Sequence, residues 1–585
     1  MKKSVKTILA SVLSAAVLAA GVGLGMHQIS APSVPAGFQE APTVTDGSTE
    51  PTLNGLLGHL KNMTAVPHEA GSDRNAVVRE YLANELRKLG YEPVRESYSL
   101  TVEDIVDIEK THRNPFRLDE QEIRDYANMG DRETLELQNL TVKLDAPDTD
   151  EAVVVVAHYD SVKFGPGAAD DLLSVTAILE SLREADKIAA PKNDVYILFS
   201  DGEEQGLLGA ACFVDDHPEL KDKVRFVVNF EARGNQGAQI MFETSDNNLE
   251  LVRHYKKAVP DPVSLSIGTA VYRMMSNDTD LSEFFLDGYA GLNFACIEGA
   301  EVYHTAQDNF DTLNRGTAQH YLDTVSSVLN YVRTADLSSV AADQDGVFFP
   351  LLRGNLVLMS ATTARVIAAA AALLAAVWIV FLLLRRKVRS RDLLKVLGVQ
   401  LGAMAVTGLL GLGVVKIAGL ITGPMTSRQY LGWGPAMPIF LIMLAVGLAV
   451  TVLGLIWIGR KLRNPLAVTA GVMPLLTVLA AGTAVAFNAA SYLFSLPLLA
   501  LLIFALLYLL LKKRNSAASV VGAVGLVVIG LLALLLFVPI VYLVYVALAF
   551  PAVPVAAALA VIPLSVAAAS AAGLLHPAQP ESDLV

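Results

Sequence analysis

The second part of the chain is a succession of long apolar stretches, and this feature limits its possible folds more than any other. Six stretches follow Arg353, and a further apolar region over residues 539–575 could form one kinked helix or two. Each is long enough to cross a bilayer as an α-helix. We therefore predict a multi-span transmembrane domain over residues 353–585, with about seven or eight helices in an α-helical bundle. The six stretches are 366–384, 396–422, 438–459, 466–487, 492–511 and 517–537.

The two parts of the chain differ in charge. Residues 27–352 contain 55 of the 58 acidic residues and 26 Lys and Arg, a net charge of −29, whereas residues 353–585 contain 3 acids and 16 Lys and Arg. Nucleic-acid binding requires cations that face phosphates, so an acidic domain argues against it. The two cysteines, Cys212 and Cys296, allow one disulfide at most and do not identify the redox compartment.

A separate apolar run over residues 8–26 follows Lys2, Lys3 and Lys6. We interpret residues 1–26 as an N-terminal membrane anchor, with a cleaved signal peptide as the alternative. Both interpretations place the following residues outside the cytoplasm. Residues 27–50 are rich in Pro, Ser and Thr and are predicted to be a stalk.

Basic residues are distributed unevenly among the predicted loops. Lys and Arg accumulate in cytoplasmic loops of membrane proteins. If the N-terminus is cytoplasmic, the opposite loops carry only Arg428, and this pattern predicts a multi-pass protein of the cell membrane with its acidic domain outside the cytoplasm. The cytoplasmic loops would then carry Arg385, Arg386, Lys387, Arg389, Arg391, Lys395, Arg460, Lys461, Arg463, Lys512, Lys513 and Arg514.

Between residues 51 and 336, short apolar runs alternate with segments of helical periodicity. Continuous apolar runs of this length are typical of strands buried on both faces. We predict an α/β domain over residues 51–340, with a mixed, mostly parallel sheet flanked by helices. The predicted strands are 135–144, 152–157, 194–199, 225–230 and 292–297, and the predicted helices are 76–89, 172–182 and 320–332.

Acids and histidines follow four of these strands, at the edge where α/β sheets bind ligands. Carboxylates that converge there would repel one another unless a cation binds among them. Two histidines and three carboxylates could ligate two divalent ions, with one carboxylate bridging, and a set without thiolate suits zinc, with cobalt or manganese as possible substitutes. The residues are His158, Asp160, Asp170, Asp171, Glu203, Glu204, Glu231, Glu298, Glu301, Tyr303 and His304.

The spacing of these residues suggests separate tasks. His158 and Asp160 lie two residues apart, on one face of a strand, so Asp160 can orient the imidazole. Glu203 and Glu204 are adjacent and point in different directions, so one can bind metal while the other serves as general base. Metal ions lower the pKa of water towards about 7, which predicts hydrolysis of a polarised carbonyl. The sequence contains no Gly-x-Ser-x-Gly motif that would indicate serine catalysis.

Five segments resemble the co-catalytic two-zinc aminopeptidases, and in particular their membrane-embedded branch of vacuolar and endoplasmic-reticulum membrane metallopeptidases. The resemblance covers about residues 51–335. It lies in PHEAGSDRNAVVREYL (67–82), AHYDSVKFGPGAADD (157–171), FSDGEEQGLLGA (199–210), VVNFEARG (227–234) and VYHTAQDNFDTL (302–313).

The resemblance implies a role for each matching residue. His158 and Glu231 would bind one zinc, Glu204 and His304 would bind the other, and Asp170 would bridge both. Glu203 would be the general acid and base, Asp160 would support His158, and Tyr303 would stabilise the oxyanion. Asp171 would lie beyond the ligand set. Many secreted relatives have Asp at the position of Glu231.

We therefore expect a membrane-anchored zinc metallopeptidase with two Zn²⁺ per chain, acting as an aminopeptidase on short peptides. Two alternatives remain open. The same scaffold could serve an aminoacyl cyclase or a carboxypeptidase. The protein could instead be a non-catalytic membrane scaffold or transporter with a binding ectodomain.

Overall fold

The structure is a computed structural model that describes residues 2–44, 49–112, 120–127, 129–147, 149–185, 187–188, 190–275, 277–422, 433–462, 464–511, 515–548 and 552–575. The chain forms two compact units. An α/β unit comprises Ser30–Gly346 and Gly354–Leu358. A helical unit comprises Met1–Ile29, Val347–Arg353 and Met359–Val585.

A seven-stranded sheet forms the centre of the α/β unit. Its strands are β1 Val94–Thr101, β2 Thr134–Leu144, β3 Ala152–His158, β4 Asp194–Ser200, β5 Val224–Ala232, β6 Ile240–Thr244 and β7 Gly291–Cys296. The strand order is β1-β2-β4-β3-β5-β7-β6. Strands β4, β3, β5 and β7 are parallel neighbours, while β1, β2 and β6 pair antiparallel at the edges. A two-stranded sheet follows, β8 Gly346–Leu352 and β9 Asn355–Ser360.

The central strands are apolar because both of their faces are covered. Every residue of β3 and of β7 is buried. The helices of the unit are Leu53–Met63, Asp73–Lys88, Val102–Glu109, Glu120–Tyr126, Leu172–Ala185, Leu208–Asp216, Leu249–Ala258, Ser266–Tyr272, Asp280–Leu286 and Arg315–Thr334. The predicted fold class, a mixed and mostly parallel sheet with helices, is confirmed.

Residues of the predicted stalk contact the α/β unit. Glu40 forms an ion pair with Arg315 at 2.7 Å. The backbone N–H of Ala41 donates to the side-chain oxygen of Asn54 at 2.9 Å. The segment around these residues therefore packs on the unit, and residues 45–48 of the predicted stalk lie outside the described residues.

A buried ionic network joins the first helix of the α/β unit to the helix Leu172–Ala185. The side chain of Glu180 is 1% exposed and accepts hydrogen bonds from Arg183 Nε at 2.6 Å and from the backbone N–H of Thr52 at 3.0 Å. His59 Nε2 lies 3.2 Å from the same carboxylate. Since the side chains of Arg183 and His59 are themselves buried, removal of the carboxylate would leave the Arg183 charge uncompensated in the core.

We expect Glu180→Ala to lower the free energy of unfolding of the α/β unit by about 3–5 kcal/mol. Amide hydrogen exchange of residues 53–63 in the full chain would measure the loss. The matched control is Glu92→Ala, because Glu92 is 77% exposed in its ion pair with Arg87. This exposed pair should contribute less than about 1 kcal/mol, and equal losses in the two variants would contradict the prediction.

The helical unit contains several helices that could span a membrane. Among the residues the structure describes, five helices are long and apolar enough: Ala361–Leu384, Ser390–Ile417, Leu466–Ala486, Asn488–Leu511 and Ala523–Leu548. Val12–His27, Leu441–Leu455 and Val553–Ala569 are apolar but shorter. The full helices are Lys2–His27, Ala361–Leu384, Ser390–Thr422, Trp433–Leu462, Pro465–Ala486, Ser491–Leu511, Asn515–Leu548 and Val553–Leu575.

The N-terminal helix Lys2–His27 packs closely against Asn515–Leu548. A Cβ atom at Gly21 would lie 2.7 Å from Leu534 Cβ, and one at Gly25 would lie 2.8 Å from Val538 Cβ. These two glycines lie four residues apart, on one face of the helix, so their small size permits the close approach of the two helices.

One detail of the predicted spans differs from the structure. The prediction separates residues 517–537 from an apolar region that begins at Pro539, but the helix Asn515–Leu548 continues through this proline. Apolar helices tolerate an internal proline where neighbouring helices and local adjustments compensate for the missing hydrogen bond. Some of the basic residues used to orient the chain lie outside the described residues. They are Arg428, Arg463, Lys512, Lys513 and Arg514.

Candidate active site

The candidate site lies at the carboxyl ends of the parallel strands. Strand register aligns these ends: His158 of β3 is opposite Ser200 of β4, and Val156 of β3 is opposite Asn229 of β5. The turn after β4 carries Glu203 and Glu204, and β5 carries Glu231 near its end. The parallel register thus brings side chains distant in sequence to one edge of the sheet.

One group of potential ligands surrounds His158. Its Nε2 atom lies 3.3 Å from Asp170 Oδ1, 3.6 Å from Glu231 Oε2 and 4.0 Å from Glu203 Oε2. The side chain of His158 is fully buried. His158, Asp170 and Glu231 offer three ligand atoms within 4.8 Å of one another, a separation suitable for a shared cation.

A second group surrounds His304. Its Nε2 atom lies 3.0 Å from Glu204 Oε2 and 3.4 Å from Asp170 Oδ2. Asp170 therefore presents one carboxylate oxygen to each histidine. Asp170, Glu204 and His304 form a further set of ligand atoms within 4.8 Å, and so do His158, Glu203 and Glu204.

Buried carboxylate oxygens in these groups lack ordinary partners. Glu204 Oε1 and Glu231 Oε1 have no hydrogen-bond donor among the residues described. A buried carboxylate oxygen without a donor is costly. Imidazole and carboxylate ligands clustered around such oxygens fit a divalent cation of the zinc class.

Asp160 contacts both His158 and the turn that carries Glu203 and Glu204, here called the glutamate turn. Its carbonyl oxygen lies 3.1 Å from His158 Nδ1, and its carboxylate oxygen Oδ1 lies 3.4 Å from the same atom. The backbone N–H groups of Glu203 and Glu204 donate to the Asp160 carboxylate at 3.1 and 3.2 Å. This side chain therefore orients the imidazole and fixes the turn that carries the two glutamates.

The structure shows supporting roles for two acids to which the sequence analysis assigned no role. Asp308 accepts hydrogen bonds from the backbone N–H groups of Ala169 and Asp170, at 2.8 and 3.1 Å, and so holds the loop before the helix Leu172–Ala185. Asp201 accepts from Asn75 at 2.8 Å. Asp308 lies in the segment 302–313 and Asn75 in the segment 67–82, both of which carry the family resemblance. Their spacing in the sequence does not indicate that they contact residues of the site.

Asp171, Glu298 and Glu301 were also singled out in the sequence. Asp171 is buried and accepts a hydrogen bond from Ser174, so it is turned towards the adjacent helix. Neither Glu298 nor Glu301 belongs to the groups of potential metal ligands found in the described part of the chain. Burial raises the pKa of Glu301.

Burial and mutual repulsion perturb the acids of the site. The pKa of Glu203 is raised well above its ordinary value by burial and by the nearby charge of Glu231. Burial and the charge of Asp170 raise the pKa of Glu204 to about 7, against the opposing effect of His304. Burial acts to raise the pKa of Asp170 as well, but His158 and His304 outweigh it and lower the value to about 2. A cation among these groups would favour their charged forms.

Tyr303 lies against the second group of ligands. Its ring stacks on that of His304, with centroids 3.7 Å apart and an interplanar angle of 23°. The guanidinium carbon of Arg233 lies 5.3 Å from the Tyr303 ring centroid. The tyrosine predicted from sequence thus lies beside the carboxylate and imidazole cluster.

A second buried cluster, formed by Glu109, His112 and Glu283, lies next to the glutamate turn. His112 Nε2 lies 2.8 Å from Glu283 and its Nδ1 lies 3.4 Å from Glu109. A Cβ atom at Gly206, in the turn after Glu204, would collide with the Glu109 carboxylate. Burial lowers the pKa of His112, but hydrogen bonds to the two glutamates outweigh it and raise the pKa to about 10.

We expect the stabilisation from His112 to depend on pH. A histidine whose pKa is raised on folding contributes fully below its ordinary value of about 6.5, and the contribution disappears as pH rises through about 10. His112→Gln should therefore lower the calorimetric melting temperature of the full chain strongly near pH 6 and progressively less towards about pH 10. A difference in melting temperature between the unaltered chain and the variant that grows with pH would contradict this assignment.

Comparison with known proteins finds one family model that matches this part of the chain. Residues 139–329 match the sequence model of Peptidase family M28. The matched region contains the two candidate ligand groups and the turn with Glu203.

Similar proteins include membrane peptidases. The endoplasmic reticulum metallopeptidase 1 of Mus musculus is 30% identical over 359 residues, which is 58% of this chain and 38% of that protein. The vacuolar membrane protease of Candida dubliniensis is 27% identical over 306 residues, 50% of this chain and 29% of that protein. The chain thus spans less than two fifths of the length of these relatives. BSAP, a zinc aminopeptidase from Bacillus subtilis, superposes with a TM-score of 0.37 at 15% identity, covering 50% of this chain and 99% of that structure.

Proposed function

We propose that the protein is a membrane-anchored zinc metallopeptidase that removes N-terminal residues from short peptides, and the match of residues 139–329 to Peptidase family M28 supports this proposal. The observation that carries the proposal is the position of Asp170 between two histidines, with one carboxylate oxygen directed to each. Such an arrangement gives two neighbouring cations a common ligand.

We assign the metal ligands in two sets. His158 and Glu231 would hold one zinc, Glu204 and His304 the other, and Asp170 would serve both. Each zinc would then have three protein ligands, the usual number in a catalytic site. Bound zinc would acidify water and polarise a carbonyl group at this edge of the sheet.

In the proposed reaction, side chains of the protein transfer the protons and stabilise the negative charge that develops. The Glu203 carboxylate takes a proton from the attacking water as it adds to the scissile carbonyl, and then returns the proton to the leaving amine. The Tyr303 hydroxyl donates to the developing oxyanion. Asp160 keeps the His158 imidazole and the glutamate turn in place throughout.

We place the α/β unit outside the cytoplasm, in a protein that crosses the membrane several times. The uneven distribution of basic residues among the loops and the five long apolar helices support this orientation. The substrate would then be peptide in an extracytoplasmic compartment, and the lipid bilayer would surround the helical unit.

The direct test uses the purified full chain in detergent micelles with a series of short peptides. We expect release of the N-terminal amino acid, loss of this activity with a strong chelator, and its return when zinc is added. Blocking the peptide N-terminus by acetylation should abolish hydrolysis. Release of the C-terminal residue from acetylated peptides would instead indicate a carboxypeptidase, and failure to cleave any peptide would overturn the proposal.

For Tyr303→Phe we expect turnover to fall by about 10²–10³ with the zinc content unchanged, because the variant loses one donor to the oxyanion. Steady-state kinetics and metal analysis of the same preparation would measure both quantities. Tyr272→Phe is a matched control, since this tyrosine packs on Phe242 in another part of the unit. An unchanged turnover in Tyr303→Phe would remove its catalytic role.

A further inference from the structure

Arg233 follows β5 directly and lies two residues after Glu231. Its backbone N–H donates to the carbonyl oxygen of Cys296 at 2.9 Å, which continues the pairing of β5 with β7 and fixes the backbone at this point. Arg233 itself lies in a bend. It therefore stands at the edge of the sheet, two residues beyond the candidate ligand Glu231.

The guanidinium group lies next to the candidate metal ligands. It lies over the Tyr303 ring. The same ring stacks on that of His304, and His304 reaches Glu204 at 3.0 Å. The attraction between a guanidinium and an aromatic ring does not need a conventional hydrogen-bond acceptor. The N–H groups at its edge stay available for a planar, two-point interaction with a carboxylate.

The Arg233 side chain has no hydrogen-bond or ion-pair partner among the residues that the structure describes, although the region has a large excess of acids. Arginines elsewhere in the unit are engaged, as Arg183 is with Glu180 and Arg315 with Glu40. Arg233 is half-buried beside the cluster. A half-buried arginine with free donors next to a candidate catalytic site is suited to an anionic group of a ligand.

We infer that Arg233 binds a carboxylate of the peptide substrate located one residue beyond the scissile bond, so that the protein prefers dipeptides or peptides with an acidic residue at that position. The inference rests on the proposed peptidase function. The contact with Tyr303 supports it, because the guanidinium lies against the proposed oxyanion donor, so a group that it binds would lie close to the scissile carbonyl. The carboxylate would be either the α-carboxylate of a dipeptide or an acidic side chain.

The test compares three substrates on the full chain: Leu-Leu with a free carboxylate, Leu-Leu amide, and Leu-Glu amide. Arg233→Met keeps a long side chain but removes the charge. We expect this variant to reduce the preference for the carboxylate-bearing peptide over Leu-Leu amide by about tenfold to a hundredfold in kcat/KM, mainly through KM. Arg233→Lys should recover part of the preference. Arg225→Met, at the opposite end of β5 where Arg225 pairs with Glu151, should leave the preference unchanged.

A second readout measures peptide binding without turnover. In the Glu203→Gln background, titration calorimetry should show that Arg233→Met weakens binding of the carboxylate-bearing peptide by a similar factor, at equal zinc content. A loss confined to Leu-Leu identifies the α-carboxylate, and one confined to Leu-Glu amide identifies the acidic side chain.

Equal losses for all three peptides, a fall in kcat alone, or unchanged binding would overturn the inference. If no peptide is hydrolysed by the unaltered chain, the peptidase proposal fails, and the calorimetric comparison still decides separately whether Arg233 binds a carboxylate.

Discussion

Glu203→Gln should reduce peptide hydrolysis by about 10²–10⁴ while leaving the zinc content unchanged, because the amide cannot accept the proton of the attacking water. The Glu203 carboxylate lies 4.0 Å from His158 Nε2, farther than Asp170 or Glu231, and its backbone is held by Asp160. The substitution keeps the size of the side chain, so the turn and the ligand groups should persist. Single-turnover kinetics and metal analysis would measure the two effects.

The matched control is Gln substitution of Glu243, a buried glutamate that accepts a hydrogen bond from Asn293 at 3.0 Å outside the ligand groups. This variant should retain turnover. If Glu203→Gln retained full activity, or lost zinc together with activity, the assignment of Glu203 as the proton-transfer group would be wrong.

Asp170→Ala should remove both metals. In the proposed assignment Asp170 is the third protein ligand of each zinc, and without it each site would keep one histidine and one glutamate. Catalytic zinc sites normally have three protein ligands, so two are too few for stable binding. We expect zinc per chain to fall close to zero after dialysis, with peptide hydrolysis lost as well.

Asp194→Ala is the control for this substitution. Asp194 lies at the opposite end of β4 and pairs with Lys143 at 2.9 Å, so its loss should not affect the metal content. Retention of one zinc by Asp170→Ala would show that the aspartate serves a single site, and retention of two would show that it is not a ligand.

Local sequence patterns were sufficient to predict the five inner strands of the sheet, but not its edge strands β1 and β6. The runs at 152–157 and 194–199 are apolar at every or nearly every position because both faces of these strands are buried, and the structure extends each by one residue only. The strand ends then indicated which acids and histidines would meet, since parallel strands share an edge for their carboxyl ends. A continuous apolar run is a local pattern, so it predicts a buried strand without any knowledge of which segments the strand contacts.

Contacts between segments distant in sequence could not be predicted in the same way. Asp308 supports the loop of Asp170 across 138 residues, and no spacing rule connects the two. The cluster of Glu109, His112 and Glu283 joins a helix near β1 to one near β7, so its residues appear in the sequence as ordinary surface charges. The continuation of a helix through Pro539 depends likewise on the packing of its neighbours.

The number of zinc ions bound by the intact protein tests the central claim most directly. Inductively coupled plasma mass spectrometry of the full chain, purified without chelator and compared with the Asp170→Ala variant, would give this number. Two zinc ions per chain in the unaltered protein and almost none in the variant are the expected values. A single ion would favour a one-zinc cyclase on the same scaffold, and the absence of bound metal would contradict the two-cation site.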